Sequence, residues 1–260
     1  MKTAPGIDLK LRAARAKLKA FKRNAHAFVE SKPYEVQAKG YGSSDDPSLY
    51  QVVLRQSQVK RTPSSRWAVW VDEITYHLRS ALDTAVYDLS RTAKRVDPSG
   101  TYFPIVDDRA KFKRDGIRYL TEDQRTFIES MQPYGRPDDP LWLLHEINRL
   151  NKHRIMQFSA VLVAPDQEDP ANNLHIRFSD LELLKATFKP VYWAEDGTEL
   201  ARLIYRITGP NPSVHVEMNN QIEIKLAEPS LTSTWHVGLL MEHILETVER
   251  TISTLYSQRV

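Results

Sequence analysis

The densest group of potentially reactive side chains lies in the segment HEINRLNKHR, residues 145–154. His145, Arg149 and His153 recur every four residues, so a helix would place all three on one face. A neutral histidine beside an arginine could cleave RNA, because the imidazole moves a proton while the guanidinium stabilises the developing charge. We therefore predict His153 and Arg149 as a catalytic pair, with a solvated basic helix end as the alternative.

The same segment offers further hydrogen-bond donors for an anion. Asn148, Lys152 and Arg154 carry amide, ammonium and guanidinium groups, which suit the oxygens of a phosphate. We predict these three as ligand-binding residues for RNA, a nucleotide or another phosphoester.

A second polar group lies on the segment HLRSALDTAVYDL, which begins at residue 77. Arg79 and Asp83 are four residues apart, so on a helix they can pair, and they face away from most of the apolar stripe. We predict that the fold brings both beside the NKHR segment as ligand-binding residues. The alternative is a structural ion pair between packed helices, since such pairs are commoner than catalytic ones.

Metal and dinucleotide chemistry have no signal in the chain. His145 and His153 would lie roughly 12 Å apart along a helix, too far to share one zinc ion at about 2 Å from each ring. There is no cysteine, and the glycine motifs G-x-x-x-x-G-K-[ST], G-x-G-x-x-G and G-x-S-x-G are absent. The sequence therefore predicts no metal ligands and no cofactor.

The composition is that of a folded protein. Of 260 residues, 41% are hydrophobic and 27% charged, and the net charge is +3. No apolar run approaches the roughly 20 residues of a membrane helix, and the first residues lack the apolar stretch of a signal peptide. Because the absence of cysteine fits a reducing compartment, we predict a cytoplasmic protein with no membrane partner.

Helical periodicity must position both polar groups. Apolar residues at intervals of three and four predict helices over residues about 7–30, 65–92, 120–132, 140–156 and 233–257. In the first of these the apolar stripe is Leu11, Ala14, Leu18, Phe21, Ala25 and Phe28. Thr121 with Gln124 predicts a capping box for the third helix, and Asp139 before Pro140 predicts the start of the fourth.

Strand patterns fill the remaining chain. A hairpin is predicted over residues about 34–57, and alternating β-branched residues predict a β region over about 158–228. Asn219 and Asn220 suit a two-residue hairpin turn. Since helical segments enclose this region, we predict a single α+β domain over residues 1–260, a helical bundle with an inserted mainly antiparallel β-sheet region.

Three short islands resemble a bacterial and phage-associated protein family that implies no established activity. They are HLRSALD at 77–83, FPI followed by MQPY at 103–134, and INRLNKHR at 147–154. The family pattern L-R-S-A-L-D-H ends in a histidine where this chain has Thr84. Asn151 stands where the pattern L-N-N-x-D-K-H-R has an acidic residue.

A weaker resemblance is to HEPN-type helical proteins, whose ribonuclease members pair an arginine with a histidine on one helix. The three residues between Arg149 and His153 are one fewer than that pattern has. The resemblance implies a metal-independent ribonuclease. The competing hypothesis is a non-enzymatic interaction or structural protein, with a homodimer as one form, in which the two polar helices pack as a buried network.

Overall fold

The computed structural model describes residues 4–59, 61–94, 97–151, 156, 158–162, 174–188, 197–218, 222–226, 231 and 236–258. Within them the chain forms five α-helices and a mostly antiparallel sheet, so the predicted α+β class is confirmed. The chain divides into two compact units. A helical unit comprises Met1–Asn24, Ser64–Phe158 and Leu226–Val260, and a sheet unit comprises Ala25–Pro63 and Ser159–Lys225.

All five predicted helices are present, with different ends. They are α1 Pro5–Glu30, α2 Arg66–Lys94, α3 Glu122–Ser130, α4 Pro140–Asn151 and α5 Val237–Ser257. Met156 is not helical, so the predicted extension of α4 to residue 156 is wrong. The predicted start of α5 at 233 is also wrong, because the His236 side chain caps this helix by accepting from Gly238 N at 3.1 Å.

The predicted caps of α3 and α4 form as expected. Thr121 Oγ1 accepts from Gln124 N at 3.3 Å, and Gln124 Oε1 accepts from Thr121 N at 3.1 Å, which completes the capping box. Asp139 Oδ1 accepts from Leu141 N at 2.9 Å at the start of α4. Each side chain satisfies an amide that the first helical turn leaves without a carbonyl partner.

The helical unit is held by apolar stripes that face one another. Helix α2 packs against α4 and α5, and α4 packs against α5. Helix α1 joins them through the ion pairs Lys17–Glu73 and Arg15–Glu249. The predicted stripe residues on α1, α2, α4 and α5 are buried, among them Leu18, Leu78, Leu144 and Ile244.

The sheet unit contains a four-stranded antiparallel sheet. Its strands are β1 Tyr34–Gly42, β2 Leu49–Val59, β5 Leu181–Phe188 and β6 Glu199–Ile207. They lie side by side in the order β1-β2-β6-β5. The central strands β2 and β6 carry the core residues Val52, Leu54, Leu203 and Tyr205, all at most 1% exposed. The predicted hairpin corresponds to β1 and β2.

Two further pairs of strands complete the described part of the β region. Strand β3 Phe158–Leu162 pairs with β8 Ile222–Leu226, and β4 Leu174–Ser179 pairs antiparallel with β7 Ser213–Met218. Since β7 and β8 lie in different sheets, the predicted hairpin between them is wrong. Asn219 and Asn220 themselves lie outside the described residues.

None of the helices in the described ranges combines the length and apolar character that crossing a membrane requires.

Candidate functional site

A polar cleft of about 520 Å³ lies between α2 and α4 in the helical unit. We call it the α2–α4 cleft. Four of its lining residues come from the polar side of α2 and three from α4: Tyr76, Arg79, Ser80, Asp83, His145, Asn148 and Arg149. Two guanidinium groups and one carboxylate therefore face the same space.

The α2–α4 cleft brings together Arg79, Asp83, Asn148 and Arg149, which are the predicted site residues that the structure describes. They come from positions up to 70 residues apart in the sequence. The remaining predicted residues, Lys152, His153 and Arg154, lie outside the described residues, so their part in the site stays a prediction.

Arg79 and Asp83 bind the main chain of one residue, Phe103. Asp83 Oδ1 accepts from Phe103 N at 2.9 Å, and Arg79 Nη2 donates to Phe103 O. The two side chains also pair with each other at 3.4 Å. Phe103 is fully buried, so these bonds satisfy both polar groups of its backbone where no water can reach them.

Gln132 from the segment MQPY holds the same extended segment one and three residues after Phe103, at Pro104 and Val106. Its Nε2 donates to Pro104 O at 2.9 Å and to Ile128 O at 3.0 Å, and its Oε1 accepts from Val106 N at 3.0 Å. Side chains from HLRSALD and from MQPY thus anchor the FPI segment. We call residues 103–106 the anchored segment.

Arg79 retains a donor that the anchored segment does not use. Its side chain is 20% exposed, and Nη1 is buried without a hydrogen-bond partner among the described residues. A guanidinium offers five N–H donors in a fixed plane, and leaving one of its nitrogens unpaired is costly away from water. Arg79 is therefore part of the structural network and also lines the cleft.

Arg149 is the more exposed guanidinium of the cleft. It binds Glu146 on the same helix, with Arg149 Nη2 at 2.7 Å from Glu146 Oε2. The Arg149 side chain is 53% exposed, so this pair contributes at most a few tenths of a kcal/mol. The pair holds the Arg149 side chain beside the cleft.

His145 lies between these charges and is half-buried. Burial lowers the pKa of His145, and the positive charge of Arg79 lowers it further. The carboxylate of Glu146 opposes this shift, and the effects of Arg149, which lowers the pKa, and of Asp107, which raises it, are smaller still. The imidazole is therefore neutral at physiological pH, so one ring nitrogen donates and the other accepts.

Sequence reasoning did not place Tyr76, Ser80 or His145 in the site. The spacing that identified the others could have found them, since Tyr76 and Ser80 lie one helical turn from Arg79 and Asp83, and His145 one turn before Arg149. No group of three or more potential metal-binding side chains occurs within the described residues.

Comparison with known proteins gives no relative: no family model, no curated protein and no solved structure matches this chain.

Proposed function

We propose that the α2–α4 cleft binds a phosphate-bearing ligand, either RNA or a smaller phosphoester. The observation that carries the proposal is that two guanidinium groups, Arg79 from α2 and Arg149 from α4, line one cleft. An anionic oxygen between them would accept charge-assisted hydrogen bonds. The amide of Asn148 offers a further donor from α4.

The proposal is tested by replacing Arg149 and measuring binding of single-stranded RNA and of pyrophosphate. Arg149→Ala should weaken binding about tenfold or more, because one charge-assisted hydrogen bond contributes about 1.5–3 kcal/mol. Arg149 is a better test position than Arg79, whose bond to Phe103 O also supports the fold.

Arg12→Ala is the matched control, because Arg12 is an exposed arginine in an intrahelical pair with Asp8 on α1. The control should keep the wild-type affinity for both ligands. Equal affinity of wild type and Arg149→Ala, or no binding of either ligand by wild type, would contradict the proposal.

The enzymatic form of the proposal is a metal-independent, HEPN-like ribonuclease in a cytoplasmic setting. His153 would transfer the proton and Arg149 would stabilise the charge that develops on the phosphate. Mixed RNA incubated with a chelator and with wild type or His153→Ala tests this form. Cleavage that depends on His153 supports it, whereas equal cleavage by both proteins, or by neither, removes it and leaves the binding proposal standing.

A non-enzymatic interaction or structural protein is the second candidate. It is favoured by the bonds of both Arg79 and Asp83 to the backbone of Phe103, since a pair that anchors a buried segment needs no ligand. A protein that binds neither RNA nor pyrophosphate and sediments as a homodimer would support this candidate.

A further inference from the structure

The α2–α4 cleft contains an exposed aromatic ring that a phosphate group alone would not use. Tyr76 lines the cleft, and 61% of it is exposed. On α2 it lies one turn before Arg79, so ring and guanidinium share a face of the helix. Exposed aromatic rings beside cations bind nucleobases by stacking, whatever the identity of the base.

The polar groups of the cleft also include hydrogen-bond acceptors, to which an ionised phosphate cannot donate. Asn148 has an amide oxygen, Ser80 a hydroxyl, and the neutral His145 ring one acceptor nitrogen. A fully ionised phosphate only accepts hydrogen bonds, whereas the edges of nucleobases and the ribose hydroxyls both donate and accept. The mixture of groups suits a nucleoside attached to the phosphate.

The size of the cleft agrees with a ligand of this kind. Its volume of about 520 Å³ lies within the range of small-molecule sites, roughly 300–1,000 Å³. We infer that the α2–α4 cleft binds one nucleotide, with the phosphate at Arg79 and Arg149 and the base stacked on Tyr76. The inference rests on the proposed function and names its ligand class.

Calorimetric titration with nucleoside 5′-monophosphates and with ribose 5-phosphate tests the inference, since ribose 5-phosphate carries a hydroxyl group where the nucleotide carries its base. Wild type should bind the nucleotides about tenfold or more tightly than ribose 5-phosphate, which is the scale of one stacked base. Tyr76→Leu should abolish that difference and leave the affinity for ribose 5-phosphate unchanged. Tyr76→Phe should keep the difference, because the ring remains.

Tyr87→Leu is the matched control. Tyr87 is a partly exposed tyrosine on the same side of α2, three turns further along, where its hydroxyl donates to Asp97 at 2.8 Å. It does not line the cleft, so its loss should leave the preference for nucleotides unchanged. A change equal to that of Tyr76→Leu would overturn the assignment of the base to Tyr76.

The remaining outcomes separate this inference from the proposed function. If ribose 5-phosphate binds as tightly as the nucleotides, the nucleotide inference fails while phosphate binding stands. If neither ligand binds, and neither RNA nor pyrophosphate does, both proposals fail. Competition of a nucleotide with a short 5′-phosphorylated RNA would identify the end of an RNA as a source of the same group, and absence of competition would assign the cleft to free nucleotides.

Discussion

His145 is the residue through which pH acts most directly on the α2–α4 cleft. Its imidazole is half-buried, and burial together with Arg79 favours the neutral form. In the unfolded chain neither influence is present, so the ring titrates near its ordinary pKa of 6.5. Protons therefore bind His145 more tightly in the unfolded state than in the folded one.

This difference predicts how stability changes with pH. Because the folded pKa of His145 is lowered, its contribution to the free energy of unfolding is complete above pH 6.5. The contribution declines as the pH falls through 6.5 and stops changing below the folded pKa. His145→Gln should therefore lose less free energy of unfolding than wild type between pH 7.5 and 5.5, as measured by urea denaturation. His26→Gln, on the exposed side of α1, should follow wild type, and parallel curves for His145→Gln and wild type would refute the effect.

The spacing of polar residues along the sequence predicts part of the site. Arg79 and Asp83 pair as their four-residue separation predicts, and they share one cleft with Asn148 and Arg149. Their bonds to Phe103 could not be predicted, because the partners are backbone groups about 20 residues away and backbone groups carry no sequence signal.

At the scale of elements, the backbone of the anchored segment 103–106 takes its hydrogen bonds from side chains instead of from a neighbouring strand. It belongs to no helix or strand, yet Phe103, Pro104 and Ile105 are buried. Buried backbone outside regular structure needs partners from side chains, and here Asp83, Arg79 and Gln132 supply them. The islands HLRSALD and MQPY therefore have a structural role that is independent of any ligand.

Removal of the Gln132 side-chain amide should cost stability for this reason. Gln132→Leu keeps the side chain buried but leaves Val106 N and Pro104 O unsatisfied, so the free energy of unfolding should fall by about 2–4 kcal/mol. Urea denaturation followed by helical circular dichroism measures the change. Gln37→Leu, on the exposed side of β1, should stay within about 0.5 kcal/mol of wild type. A Gln132→Leu protein as stable as wild type would contradict the anchoring role.

Helices were more predictable from sequence than strands. Each amphipathic helix has its own apolar period of three and four, and the stripes of α1, α2, α4 and α5 are buried as predicted. Strand β5 lies within the predicted β region, but its sequence LELLKATF lacks the β-branched alternation that would mark it as a separate strand. It lies at the edge of the sheet, where Leu183 and Leu184 stay exposed. The sequence predicts a β7–β8 hairpin wrongly, because the tertiary fold and not the local residues decides which strands pair.

At the scale of the whole molecule, neither compact unit is continuous in sequence. The chain passes between them at 24/25, 63/64, 158/159 and 225/226, and α1 continues through the first of these points. Each unit therefore closes loops that belong to the other. When the helical unit is folded, each sheet-unit segment is a closed loop, and the lost chain entropy raises the free energy of its unfolded state by about 4 kcal/mol. The single domain that the sequence predicts therefore requires the two units to unfold cooperatively.

This coupling predicts that the two units unfold together. Leu203→Ala removes a fully buried side chain from the core of the sheet unit, at a cost of about 2–5 kcal/mol. If unfolding is cooperative, the substitution should lower the free energy of opening equally in both units. Hydrogen exchange measured by mass spectrometry should then show the same loss of protection, relative to wild type, in α2 and α5 as in β2 and β6. Lower protection confined to β2 and β6 would instead show that the sheet unit opens alone, and the chain would then behave as two domains.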